Sequence, residues 1–264
     1  MANIVSILTV TYNSEDCIDQ YLISVSNALP KNGELIIVDS CSTDKTKEKL
    51  LLFKDKFLKS IQIKLIFKNE NIGYGKGNNI AASCASGKYL FILNPDTTIR
   101  KDAIEKLIEY SQNNQNVGLV APRIVQNDGI LQPSVRNLPT IWNAIKEYYI
   151  GIKDSYAPYA PLGSEPVKVE CVVGAAMLIK AMLFRQLNGF NEKFFMYYED
   201  LDLCRRIRKK GMKIVYLPES EITHKVGGSI SALKEKWIKE SAKIYHGSYM
   251  WFFLSMVLRL RPLK

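Results

Sequence analysis

The chain of 264 residues is 47% hydrophobic and 23% charged, which supplies apolar material for one large core or two modest ones and excludes a disordered polymer. A formal net charge of +10, from 36 basic and 26 acidic side chains, points to an anionic partner, whether a phosphorylated substrate, an acidic membrane or a nucleic acid. Five widely spaced cysteines without a CxxC pair fit reduced thiols in a cytosolic protein, and no basic-then-apolar leader opens the sequence.

The first 120 residues alternate strand and helix signals. A near-continuous β-rich run at 4–10 reads as a strand covered on both faces, followed by a helix opening near Ser14. Strands at 35–38, 61–67 and 89–93 follow, with helices at 43–56 and 76–85 between them, then a helix at 101–112 and a strand at 117–121. Such alternation predicts an α/β protein with a mostly parallel, doubly wound sheet, whose ligands bind at the carboxyl ends of the strands. Residues 122–170, rich in Pro, Gly, Asn and Tyr, read as long functional loops around a short helix at 141–149. Beyond them come a strand at 172–179, helices at 181–187 and 199–211, extended pieces at 213–217 and 221–223, and a terminal helix from about residue 231. The organisation is one domain over 1–230, with a first half at 1–121 and a second at 122–230, and a tail at 231–264.

Polar loops follow four successive strands. Thr11-Tyr12-Asn13-Ser14 fits a turn with a helix cap, and Asp39, at the tip of the second strand, suits a ribose hydroxyl or a base N–H. In Asn71-Ile72-Gly73-Tyr74-Gly75-Lys76-Gly77 the glycines let backbone approach an anion and Lys76 adds charge, although the spacing is neither GxGxxG nor a Walker loop. Asn94-Pro95-Asp96 is turn-forming on its own, yet a carboxylate at a strand end, combined with substrate phosphates, is how Mg²⁺ or Mn²⁺ is commonly held. Farther on, Glu199, Asp200 and Asp202 open a helix behind an aromatic run. Acids favour a helix N-terminus and arginines at 205, 206 and 208 can pair with them, while a carboxylate against rings gains a raised pKa suited to general-base work. His224 beside Lys225 and a glycine turn is either a surface histidine or a metal or phosphate contact.

Seven motifs occur in one order: TVTYNS, IIVDSCSTD, NENIGYGKGNN, YLFILNPDTTI, VVGAAMLIK, GFNEKFFMYYEDLDLCRRIRKKG and THKVGGS. Together they make residues 3–230 resemble the family 2 glycosyltransferases of the GT-A (Rossmann-like) fold, especially the bacterial rhamnosyltransferase-like branch. The resemblance implies that Thr11, Tyr12, Asn13 and Asp39 contact a nucleotide's base and ribose, and that Asn71, Gly73 and Lys76 extend the pocket towards the diphosphate. It implies that Asn94-Pro95-Asp96 stands for the family's DxD element, with Asp96 on a divalent metal and Asn94, uncharged, facing the nucleotide. Asp200 becomes the catalytic base and Glu199 a sugar or acceptor contact, His224 a further metal or diphosphate contact, and Gly174, Ala175 and Ala176 the floor beside the donor sugar. The implied reaction is an inverting transfer from a nucleotide sugar, dTDP-L-rhamnose or a UDP-hexose or UDP-HexNAc, to a saccharide or polyprenyl-diphosphate-linked glycan in surface polysaccharide synthesis.

A sugar-1-phosphate nucleotidylyltransferase would carry a glycine- and arginine-rich signature where Thr11-Tyr12-Asn13-Ser14 stands. A nucleic-acid-binding module lacks a motif here and would be repelled by the acids at 199–202, so no nucleic-acid partner is expected. A non-catalytic relative would not need both Asp96 and Asp200. In the tail, Tyr245, Tyr249, Phe252, Phe253, Met256, Val257 and Leu260 share one face of a single helix flanked by lysines and arginines. Such a stripe either lies in an anionic membrane interface on the cytoplasmic side or packs on protein, including a second copy in a homodimer.

Overall fold

The structure is a computed structural model that describes residues 4–57, 61–225 and 232–261. In chain order it runs β1 (Val5–Thr11), α1 (Ile18–Ala28), β2 (Gly33–Asp39), α2 (Thr46–Phe57), β3 (Gln62–Phe67), α3 (Tyr74–Ser83), β4 (Tyr89–Leu93), β5 (Thr97–Ile99), α4 (Ala103–Asn113) and β6 (Val117–Val125). The second half holds β7 (Val135–Arg136), α5 (Ile141–Ile145) with a π-helical turn (Lys146–Ile150), β8 (Val167–Val169), β9 (Cys171–Val172), β10 (Ala176–Lys180), α6 (Ala181–Gln186), α7 (Glu199–Lys209), β11 (Lys213–His224), α8 (Ala232–His246) and α9 (Ser248–Arg259).

The main sheet has the order β3-β2-β1-β4-β10-β6-β11-β5, with β8 also on β11, and β7 pairs with β9 in a small second sheet. Strands β3, β2, β1 and β4 run parallel, as do β6 and β11. β10 runs antiparallel between β4 and β6. β2 and β4 are buried along their whole length, as their unbroken apolar runs require. Alternate side chains feed two cores: Leu8, Ile36 and Ile92 on one face with Phe190 and Leu201, and Ile7, Leu35 and Phe91 on the other with Leu22 and Leu107.

Several expected boundaries move, each for a local reason. α1 opens at Ile18 rather than near Ser14, and α2 at Thr46 rather than Thr43, because the two preceding loops bond to each other. Asn13 N–H donates to Ser42 Oγ (2.9 Å), Ser14 N–H to Thr46 Oγ1 (2.7 Å) and Glu15 N–H to Asp44 Oδ2 (3.0 Å), while Thr43 N–H donates to Asn13 Oδ1 (2.8 Å). α3 begins at Tyr74, so Gly75 and Gly77 are helical rather than an anion-cradling loop. A β-carbon at Gly77 would sit 2.7 Å from Val10 Cγ2, so that glycine serves the packing of α3 on β1.

The expected strand at 172–179 is two strands broken at 173–175, where backbone groups leave the ladder for other partners. The extended pieces at 213–217 and 221–223 are one strand, β11, with a register shift between Leu217 and Glu221. β6 runs through 121/122, so the sheet is continuous across the two halves. The tail is two helices: Gly247, at φ +77, breaks it. Tyr245 is consequently buried and Tyr249 is 88% exposed, so the single stripe is corrected, and the buried contact of α9 is Leu254. Residues 226–231 of the THKVGGS and tail-helix expectations, and Lys264, lie outside the described residues.

Candidate active site

Parallel strands deliver their following loops to one edge of the sheet, and β10 delivers the residues before it there because it runs the other way. A cavity of about 310 Å³ opens at that edge, lined by Tyr12 and Asn13 after β1, Ser40 after β2, Asn71, Gly73 and Tyr74, and Asn94 and Asp96 after β4. Cross-links hold these loops together: Ile72 N–H donates to Ser40 Oγ (3.1 Å), and Asn94 N–H donates to Ala175 O (2.9 Å). Gly73, at φ +78, has Phe195 O where a β-carbon would stand, so this loop lies directly against the segment leading to Glu199 and Asp200. Of the larger hollows, one of about 540 Å³ lined by Tyr89, Lys180 and Met182 lies at the far ends of the strands, and one of about 660 Å³ lies between Glu15, Thr43, Asp44 and the first turns of α2.

His224 ends β11 opposite Thr97, which brings it beside Asp96. Its Nε2 stands 3.1 Å from Asp96 Oδ1, and its Nδ1 is 3.0 Å from Gln132 Oε1. With Gln132 turned so that Oε1 faces the ring, Nδ1 is assigned as the donor and the Nε2 lone pair faces the carboxylate. Asp96 Oδ1, His224 Nε2 and Asn94 Oδ1 are all buried without a hydrogen-bond partner. Two acceptor atoms aimed at each other call for a cation between them, either a proton on the imidazole or a metal ion. An oxygen and an imidazole nitrogen with open positions beyond them fit a divalent ion completed by phosphate oxygens. Among the described residues no group of three His, Cys, Asp or Glu side chains could hold a metal without such help.

The acid pair sits across Tyr74 from this cavity. Tyr197 and Tyr198 both have positive φ (+70° and +68°), a strained corner that starts α7 abruptly at Glu199. Glu199 is 5% exposed, with Oε2 lacking a partner; burial, then the neighbouring Asp200, pushes its pKa well above the usual carboxylate range. Asp200 is half-buried and accepts N–H groups from Gly174 (2.9 Å) and Leu201 (2.7 Å). Burial raises its pKa too, opposed by those backbone donors and by the Arg136 charge. The pair therefore splits into Asp200, whose anion accepts the Gly174 and Leu201 N–H groups, and Glu199, which has only its own backbone N–H and stays protonated longer. Tyr74 OH donates to Gly174 O (2.5 Å), tying the cavity wall to the backbone that holds Asp200. Asp202 makes the helical ion pairs, with Arg205 (2.8 Å) and Arg206 (2.7 Å), while Arg208 reaches Glu170 instead.

The sequence-selected residues fall into groups. Tyr12, Asn13, Asn71, Gly73, Asn94 and Asp96 line the cavity; His224 abuts Asp96, and Gly174 abuts Asp200. Thr11 and Asp39 lie behind the wall: Asp39 is 2% exposed and accepts from Thr11 Oγ1 (2.9 Å), Ser42 N–H (3.0 Å) and Ser42 Oγ. Ala175 and Ala176 are buried, so Ala175 reaches the edge through its carbonyl. Lys76 is exposed on α3 and does not line the cavity. Sequence reasoning missed Ser40, Tyr74, Gln132 and Met196. Tyr74 sits inside the glycine motif that drew attention, whereas Gln132 lies in an irregular stretch without any signal.

A mostly parallel central sheet flanked by helices, with one antiparallel strand set into it, is the fold of the GT-A glycosyltransferases. The family model described as Glycosyl transferase family 2 matches residues 6–166, and that described as Glycosyl transferase family group 2 matches residues 89–260. The chain belongs to glycosyl transferase family 2 and is a rhamnosyltransferase-like member of it. It is 26% identical over 241 residues to an N-acetylglucosaminyl-diphospho-decaprenol L-rhamnosyltransferase of Mycobacterium tuberculosis, covering 85% of this chain and 76% of that one. It is 29% identical over 160 residues to the rhamnosyltransferase WbbL of Escherichia coli, covering 58% of this chain and 60% of that protein. Its fold matches the mannosyltransferase PcManGT of Pyrobaculum calidifontis, solved with GDP-Man and Mn²⁺, with a TM-score of 0.65 at 17% identity, over 100% of this chain and 66% of that one.

Proposed function

We propose that this glycosyltransferase moves a sugar, L-rhamnose on the evidence of its relatives, from a nucleoside-diphosphate donor to a hydroxyl of a lipid-linked saccharide, with inversion. The observation that carries the reading is Asp200: a carboxylate with a raised pKa, held by the Gly174 and Leu201 N–H groups one tyrosine away from the cavity. Asp200 takes the proton from the acceptor hydroxyl as its oxygen bonds to the anomeric carbon and the carbon–diphosphate bond breaks on the opposite face. Glu199, kept neutral by burial, donates a hydrogen bond to a sugar or acceptor oxygen without repelling the developing charge.

Tyr12, Asn13, Asn71, Gly73 and Asn94 form the nucleotide side, with Thr11 and Asp39 fixing the loop behind them. Lys76 carries its charge on the exposed first turn of α3, outside the cavity lining, and is left without a role in this reading. Asp96 and His224 would hold Mg²⁺ or Mn²⁺, which when bound neutralises charge on the departing nucleoside diphosphate. Residues 1–230 carry the reaction in this reading. The tail attaches the enzyme to the inner face of the cytoplasmic membrane through exposed Tyr249, Met250, Phe252, Phe253 and Met256 on α9, with Arg259 and Arg261 alongside. No helix of the described residues is long and apolar enough to cross a membrane. A panel of nucleotide sugars scored by thermal shift, with and without Mn²⁺, tests the donor side: stabilisation by dTDP-L-rhamnose above UDP-hexoses supports the reading, and preference for a UDP sugar replaces the donor.

A further inference from the structure

Arg136 is a half-buried guanidinium whose charge acts on Asp200 without a direct ion pair to it. It closes β7, where it pairs with Cys171 of β9, three residues before the Gly174 whose N–H holds Asp200. Val173 N–H donates to Ser134 O (2.9 Å), so β7 and the Asp200 cradle are one unit. The Arg136 Nη2 donates to Tyr156 O (3.1 Å) and the guanidinium lies over the Tyr156 ring, 5.7 Å from its centroid. Its Nε is buried without an acceptor, and among the described residues no carboxylate pairs with it. Arg100, Arg205, Arg206 and Arg208, by contrast, each have a carboxylate partner. A half-buried guanidinium whose Nε has no acceptor and which makes no direct ion pair has donors to spare, which marks a place an anionic ligand takes.

The anion is not the donor's by position, because Arg136 does not line the cavity that holds Asp96 and Asn94. Its neighbours point elsewhere: Tyr156 packs on Tyr148 (5.8 Å between centroids) and on Leu254 of α9, and Arg261 lies 5.4 Å over the Tyr148 ring. The same helix presents exposed Phe252, Phe253 and Met256 on the sides turned away from Leu254. A base, a cation and an apolar helix in one neighbourhood match the three parts of a lipid-linked sugar: hydroxyl, phosphate, hydrocarbon.

Resting on the glycosyl-transfer reading above, we infer that Arg136 is the acceptor-specificity residue, its guanidinium binding the diphosphate of an acceptor whose reacting sugar is itself linked to that diphosphate. The β7–β9 pairing that brings Arg136 to the Asp200 cradle suits an acceptor whose hydroxyl and phosphate sit on one sugar. Arg136 acts on binding and takes no part in the bond exchange.

The test compares two acceptors, an alkyl ester of N-acetylglucosamine 1-diphosphate and the matching alkyl N-acetylglucosaminide without the diphosphate, on the wild type, Arg136→Gln and Arg136→Lys. Loss of a charge-assisted hydrogen bond predicts that Arg136→Gln raises KM for the diphosphate acceptor roughly 10–100-fold, with Arg136→Lys in between. KM for the donor stays within about twofold of wild type, and the uncharged glycoside loses only what the missing charge beside Asp200 costs, a rise in the acidic limb of its rate profile with KM unchanged. An equal loss on both acceptors overturns the inference and leaves the transferase reading standing, as does a rise in donor KM, which would move the contact to the donor's diphosphate. Failure of the wild type to glycosylate either acceptor with any donor would sink the transferase reading itself. Should the glutamine variant not fold, inhibition of the wild type by a plain alkyl diphosphate decides: competition against acceptor supports the assignment, and competition only against donor overturns it.

Discussion

Replacing Gly73 with alanine probes whether the nucleotide-side loop and the acid-pair loop form one unit. Gly73 sits at φ +78 and ψ 173, a region that L residues enter at a cost of about 1–3 kcal/mol. Its new β-carbon would stand 2.3 Å from Phe195 O and 2.9 Å from the Phe195 ring, so the 195 segment must shift. That oxygen accepts the Tyr74 N–H at 3.0 Å, a bond worth about 1 kcal/mol. The expected loss is about 2–4 kcal/mol, or roughly 5–15 °C in Tm for a chain of this size. Gly211→Ala is the control: its φ is +76, but nothing lies within 4 Å of the added carbon. Only the conformational cost, about 1 kcal/mol, applies there. Thermal denaturation of both variants isolates the close approach. Donor affinity and transfer rate should also fall in Gly73→Ala, because Phe195 leads directly to Glu199 and Asp200. Equal melting temperatures for the two variants would refute the claim that these loops are locked together.

Three further outcomes follow from the electrostatics. Because Asp200 titrates above the usual carboxylate range, the acidic limb of the rate profile should lie above about pH 4, and Glu199→Gln should leave that limb in place, since Glu199 is neutral when Asp200 ionises. A raised folded-state pKa stabilises only below the unfolded value and is lost as pH rises, so denaturant melts should find Glu199→Gln more stable than wild type near about pH 8 and equal to it near about pH 4. Glu34, far from the site, is held down to about 2 by Lys64 Nζ (2.9 Å) and by Ser6 and Ser86 against its own burial. Its contribution, on the order of 3 kcal/mol, is present above about pH 4.5 and lost as pH falls through about 2, so Glu34→Gln should destabilise by that order at neutral pH and converge on wild type in acid. Gln132→Ala should weaken Mn²⁺ binding about 10–100-fold in calorimetric titration with nucleotide present, and unchanged affinity would remove Gln132 from its orienting role on His224.

The alternation of strands and helices was legible because strands covered on both faces are long apolar runs, and β4 falls where the sequence places it. The loops after β1, β3 and β4 were legible as a set, since a parallel sheet must bring their residues to one edge. Helix starts were not, because Asn13, Glu15, Asp44 and Thr46 bond across loops about 30 residues apart, which no local capping rule anticipates. The glycines of α3 were misread as a ligand cradle because close helix packing and anion binding both call for glycine. Arg136 was invisible because strand pairing, not motif spacing, carries it beside the Asp200 cradle, and Gln132 because it reaches His224 from an irregular stretch. The tail stripe failed at Gly247, where one positive φ turns α8 away from α9.

The central claim is that Asp200 is the base, and its most direct test is the single-turnover transfer rate of Asp200→Asn, which keeps the Gly174 N–H contact available to an oxygen of the same shape. The account predicts a fall of about 10²–10⁴-fold with nucleotide-sugar affinity unchanged. A variant that transfers at the wild-type rate would contradict it.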